Sequence, residues 1–135
     1  MKKARNLGLL VVIAHWIVAV WHLFLAANIL PAPNDHFSWL AIILISSGHL
    51  GVSVALWKLS DKLSGLVLLV FFLAAGGADL YEHFLHASLN NVSMVAPGTW
   101  TASFDLSVFV LLAFEILGCI LGILSFGGWP HSKAA

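Results

Sequence analysis

The sequence is poor in charge. Asp, Glu, Lys and Arg together make up 9% of its 135 residues, against about 25% in a soluble domain. So few charges cannot cover a water-facing surface. Cysteine is nearly absent too. Cys119 stands alone, which excludes an intrachain disulfide and any paired-cysteine redox or zinc motif. Basic stripes are missing, so a nucleic-acid partner is not expected. There is no Walker loop, no Ser-His-Asp set and no HExxH motif. The chain also lacks Glu-x-x-His, the segment that a diiron bundle uses twice.

What is present is apolar. Hydrophobic residues make up 61% of the chain, and the mean hydropathy is +1.00. These residues gather into runs long enough to cross a bilayer, which takes about 20 residues each. The runs predict an all-α integral membrane protein, one transmembrane domain over 1–135. Its four spans fall at about 8–30, 38–57, 63–86 and 104–126. Joined by short loops, they should form an antiparallel four-helix bundle. A cleavable leader is the rival reading of the first run. That run exceeds the usual apolar core of about 7–15 residues, so a retained span is expected.

The basic residues orient the bundle. Lys2, Lys3 and Arg5 precede the first span, Lys58 and Lys62 join the second to the third, and Lys133 follows the fourth. All six fall on one side, which the positive-inside rule makes cytoplasmic, so both termini are expected there. Trp39, Tyr81 and Trp100 then fall at the outer interface and Trp57 and Trp129 at the inner one, as an aromatic belt requires. Gly118-x-x-x-Gly122 and Ser47-x-x-x-Gly51 offer small faces for helix contact. Gly76-Gly77 offers a place to bend.

The residues that do not suit lipid are the informative ones. His15 and His22 lie in the first span and His49 in the second. The third ends in Asp79, Glu82, His83 and His86. The fourth carries Asp105 and, near its centre, Glu115. Ionisable groups inside spans usually face the bundle interior and mark a function. At about 1.5 Å per residue, Glu115 and His49 lie within roughly 3 Å of the midplane. His15 falls roughly 6 Å to the inner side, His22 roughly 5 Å and Asp79 roughly 7 Å to the outer side. Glu82, His83, His86 and Asp105 lie further out, and loop residues Asp35 and His36 further still.

Three chemistries fit this set. The first is a transition-metal site (Cu, Zn or Fe) in the outer half, drawing on His22, Asp79, Glu82, His83, His86 and Asp105. Imidazole and carboxylate suit such ions, and Asp79 and His83 stand at i, i+4 on one helix face. The protein would then be a small membrane metalloprotein, or a metal-binding subunit of a membrane redox complex. The second is a b-type haem or quinone site using His15 and His49. Histidines on neighbouring spans are common haem ligands, and Arg5, Lys58 and Lys62 could receive propionates. The third is an accessory subunit, or a proton path through the staggered His15, His49, Glu115, His22 and Asp79. Besides lipid, other subunits are the expected partners. Trp16 and Trp21 could flank a cofactor or simply pack. Asn91-Val92-Ser93 has the form of a glycosylation acceptor on the outer side.

Overall fold

The computed structural model describes residues 2–29, 37–88 and 90–127. The Pro31–His36 link, Trp129, His131 and Lys133 lie outside them, as do the side chains of Lys2, Lys3 and Trp39. The described chain is helical: α1 (Lys2–Ile29), α2 (Phe37–Lys58), α3 (Asp61–Leu80) and α4 (Thr101–Gly127). A π-helical turn, Tyr81–Leu85, continues α3 directly. Four helical stretches are long and apolar enough to cross a membrane: Arg5–Ile29, Leu40–Lys58, Asp61–Leu85 and Thr101–Phe126.

The packing follows the small residues. α3 lies most closely on α4, α1 lies against α4 and α2, and α2 meets α3 only lightly. Gly65 on α3 and Gly122 on α4 bring two backbones together. A Cβ on Gly65 would stand 2.8 Å from the Gly122 carbonyl oxygen, and one on Gly122 would stand 2.9 Å from that of Gly65. Gly118 accepts the Phe72 ring in the space a side chain would fill. The Gly118-x-x-x-Gly122 face is therefore a true contact surface, completed by Gly65, which the sequence pattern did not single out. The Ser47–Gly51 face differs: Ser47 is exposed, and a Cβ on Gly51 would meet nothing within 4 Å.

The bundle is apolar outside and polar within. Leu10, Phe24, Leu44 and Leu50 are each at least 60% exposed, whereas His15, His22, His49, His83 and Glu115 are buried. This inverts the soluble pattern and suits a lipid surround. Trp57, Tyr81 and Trp100, the described members of the expected belt, are all exposed.

Two apolar clusters bracket the polar layer along the helices. Val11, Val12, Leu56, Leu68, Phe72 and Leu121 form one. Leu25, Ala26, Phe104 and Val108 form the other. With lipid as the alternative surround, these clusters contribute mainly through close van der Waals packing.

The expected bend at Gly76-Gly77 does not interrupt the helix, which stays α-helical to Leu80. Gly76 has another use. A Cβ there would come within 3.2 Å of Glu115 Oε2, so the bare glycine lets the carboxyl lie against α3. The irregularity comes a turn later, in the π-helical segment. Such segments often sit at functional sites.

Candidate functional site

Three ionisable side chains from three helices form one hydrogen-bonded chain. His49 on α2 donates from Nδ1 to the Ile45 carbonyl at 2.7 Å. Its Nε2 lies 2.7 Å from His15 Nδ1 on α1. His15 Nε2 lies 3.2 Å from Glu115 Oε1 on α4. All three side chains are buried. The two imidazoles stack with centroids 5.0 Å apart and planes inclined by 22°. Phe72 packs T-shaped against His15, and Phe71 packs T-shaped against both rings, which limits how far the imidazoles can turn.

Proton bookkeeping follows from these partners. A carbonyl only accepts, so His49 Nδ1 carries a hydrogen. With His49 neutral, its Nε2 accepts and His15 Nδ1 donates. His15 Nε2 and Glu115 Oε1 then share one proton. It lies on the carboxyl, or it lies on His15 as imidazolium beside carboxylate. A third arrangement makes His49 the imidazolium and leaves His15 neutral through its other tautomer. All three have the same net charge. One proton can therefore occupy any of three groups spread over α4, α1 and α2.

Asp79 on α3 extends this set. Its carboxyl comes alongside that of Glu115 and within electrostatic reach of His15 and His83. Glu115 Oε2 is left without a well-aligned hydrogen-bond partner among the described residues. Asp79, Glu115, His15 and His49 line one cavity of about 410 Å³, with the remaining wall apolar. A second cavity of about 310 Å³ reaches His49 beside Ser46, Ser53 and Trp16. Trp16 donates from Nε1 to Ser46 Oγ at 2.9 Å, tying α1 to α2.

The half of the bundle expected to lie outward holds a second histidine pair. His22 on α1 and His83 in the π-helical turn meet edge to face, with centroids 4.8 Å apart. Ser107 Oγ donates to the Phe104 carbonyl at 2.6 Å, so it accepts from His22 Nδ1 at 2.8 Å. His83 Nδ1 donates to the Asn90 carbonyl at 2.8 Å. Both rings thus have Nδ1 engaged as donor, and in the neutral form each keeps a lone pair on Nε2.

The six outer-half candidates do not act as one set. His22 and His83 come together. Asp79 turns toward Glu115 and His15. Glu82 and His86 pair with each other at 3.3 Å on the exposed side, and His86 already has extended backbone beyond the π-helical turn. Asp105 Oδ1 is buried without a hydrogen-bond partner among the described residues. Asp79, Glu82, His83 and His86, spaced at i, i+3, i+4 and i+7, would share one stripe of a regular α-helix; here Tyr81–Leu85 is π-helical, His83 is buried, and Glu82 and His86 are nearly half exposed. Among the described residues, no three His, Cys, Asp or Glu side chains converge as a metal-holding group.

Some contributors had no strong sequence signal. Ser107 stands eight residues before Glu115 on the same helical face, a spacing that could have flagged it. The Ile45 and Asn90 carbonyls carry no side-chain signal. Asn91 anchors the outer loop. Its Nδ2 donates to the His86 carbonyl at 2.9 Å, and its Oδ1 accepts from the Ser93 hydroxyl at 2.7 Å. The nitrogen a glycan would need is thus engaged on a residue only 6% exposed. Compared with known proteins, the chain matches no family model, no curated protein and no solved structure.

Proposed function

We infer that this chain is a four-span membrane protein that relays protons through its core, with both termini cytoplasmic. The observation that carries this reading is the buried chain from His49 through His15 to Glu115. A buried network of this kind strengthens each of its bonds. It also places one mobile proton near the middle of the bilayer, where an isolated charge is costly. The antiparallel arrangement and the orientation rest on the basic residues that flank the spans. Asp79 extends the path toward the outer side, and the cavity beside Ser46 and Ser53 extends it from His49.

The test is proton flux into vesicles holding the purified protein and a trapped pH dye, driven by a potassium diffusion potential. Wild type should acidify the lumen faster than empty vesicles, and Glu115→Gln should return the rate to background. Equal rates for wild type and Glu115→Gln would overturn the relay.

A second reading keeps a transition metal in the outer half, narrowed to His22 and His83. Its support is the engagement of both Nδ1 atoms by Ser107 and Asn90. Metal-binding histidines are usually held in this way, with the other nitrogen free to coordinate. Water or a partner subunit would supply the remaining ligands. Elemental analysis of the purified protein against His83→Ala decides it; unchanged metal content removes the metal.

A haem on His15 and His49 is the weaker alternative. Axial ligation of one iron needs the donor nitrogens on opposite faces of the macrocycle, whereas here a hydrogen bond joins the two rings. An absorption spectrum of the purified protein with a Soret band would restore it.

A further inference from the structure

The cavity that meets the relay has a form of its own. All four helices line it, and its polar groups are His15, His49, Asp79 and Glu115. Leu44, Gly48 and Ala78 belong to the same lining and are exposed on the bundle's flank. The mouth therefore lies where α2 stands off from α3, facing hydrocarbon and not water. At about 410 Å³ the space falls within the range of small-molecule sites, about 300–1,000 Å³.

We propose that this cavity binds a lipid-soluble quinone or its hydroquinone, entering sideways from the bilayer with a ring oxygen at Glu115. The proposal deepens the relay reading and rests on it for the shared proton. The occupant follows from the walls. Glu115 Oε2 is buried and lacks a well-aligned partner among the described residues, and an acyl chain offers it none. An anionic ligand would meet two carboxylates, and among the described residues no Lys or Arg lines the space. A phospholipid headgroup belongs at the interface, whereas Glu115 lies within roughly 3 Å of the midplane. A quinone ring is neutral, flat and soluble in hydrocarbon. Its carbonyl accepts a hydrogen bond and the hydroquinone hydroxyl donates one. Glu115 Oε2 can accept from the hydroquinone hydroxyl while Oε1 keeps the proton it shares with His15; it donates to the quinone carbonyl only when a second proton sits on Oε2. Gly48 and Ala75 leave room for a ring beside Phe71; a Cβ on Gly48 would already touch the Phe71 ring at 3.9 Å.

The experiment uses the full chain in phosphatidylcholine nanodiscs, with a benzoquinone bearing one isoprene unit as probe and empty nanodiscs as background. One saturable site per chain is expected. Gly48→Leu and Ala75→Leu, which fill the cavity from two helices, should each weaken binding on the order of tenfold or more. Glu115→Gln should shift the infrared carbonyl stretch of the bound probe, a readout that general unfolding does not reproduce. Melting curves confirm that the variants are folded. Binding equal to empty nanodiscs, binding indifferent to both cavity-filling changes, or equal displacement by a long-chain alkane would each overturn the proposal. The relay fails separately, through vesicle flux that is unchanged in Glu115→Gln.

Discussion

The two histidine pairs of this bundle use the same side chain for different chemistry. In the inner pair, His15 and His49 engage all four ring nitrogens: one with a carbonyl, one with a carboxyl and two with each other. In the outer pair, His22 and His83 each engage Nδ1, and among the described residues neither Nε2 has a hydrogen-bond partner. The first arrangement joins both rings and a carboxyl in one hydrogen-bonded chain, and the second leaves each neutral ring a lone pair on Nε2. What separates them is the partner of the second nitrogen, because that partner selects the tautomer.

The sharpest way to break this comparison is at His15. It alone touches both other members of the inner chain, so His15→Leu should abolish proton flux in vesicles. It also leaves Glu115 and His49 buried without their partner. Each unsatisfied group costs about 1–3 kcal/mol, read as a lower melting temperature in detergent. The equivalent change in the outer pair, His22→Leu, should leave flux nearer wild type. Equal loss of flux in both variants would mean that the two pairs form one continuous path.

Ser107→Ala tests the outer pair more finely. Losing one buried hydrogen bond in a membrane bundle costs about 0.6 kcal/mol on average, so the fold should survive. The His22 ring should lose its tautomer preference, visible in its ring-nitrogen NMR shifts. If a metal binds there, its affinity should fall by about 10–100-fold. A His22 spectrum identical to wild type would mean that Ser107 does not set the tautomer.

Asn91→Ala should act more weakly still on the same pair. The loop it anchors supplies the Asn90 carbonyl to His83, so faster amide exchange around Asn90 is expected. The smallest effect belongs to Glu82→Gln. Its partner His86 is exposed, and both side chains are nearly half exposed. An exposed pair contributes about 0–1 kcal/mol, so flux and metal content should both match wild type. A large loss of either would return Glu82 to the site.

Much of the fold was legible before any coordinates. Each expected span lies within about three residues of its helix at most boundaries, because run length and composition decide whether a segment can cross a bilayer. The first is the exception: the helix begins at Lys2, since the basic turn before Gly8 is helical too. Burial of Glu115 was also legible, because a carboxylate at midplane depth has few alternatives. The partner was less so. Depth pointed from Glu115 to His49, yet the carboxyl meets His15 and reaches His49 through it. Rise along a helix gives height, but which faces meet depends on helix rotation and crossing.

The outer cluster shows the same limit more clearly. Spacing of three, four and seven residues groups Asp79, Glu82, His83 and His86 only while the helix stays α-helical. The π-helical turn at Tyr81–Leu85 breaks that geometry. His83 is buried against His22, whereas Glu82 and His86 stand together on the exposed side.

The sequence by itself determined that this chain has four helices long and apolar enough to cross a membrane, since transfer energies depend on composition and not on packing. Only the tertiary structure decided which polar groups share protons. Hydrogen bonds are set within a few tenths of an ångström. At that scale the outcome rested on a glycine that lets Glu115 lie against α3 and on the carbonyls of Ile45 and Asn90 that hold His49 and His83.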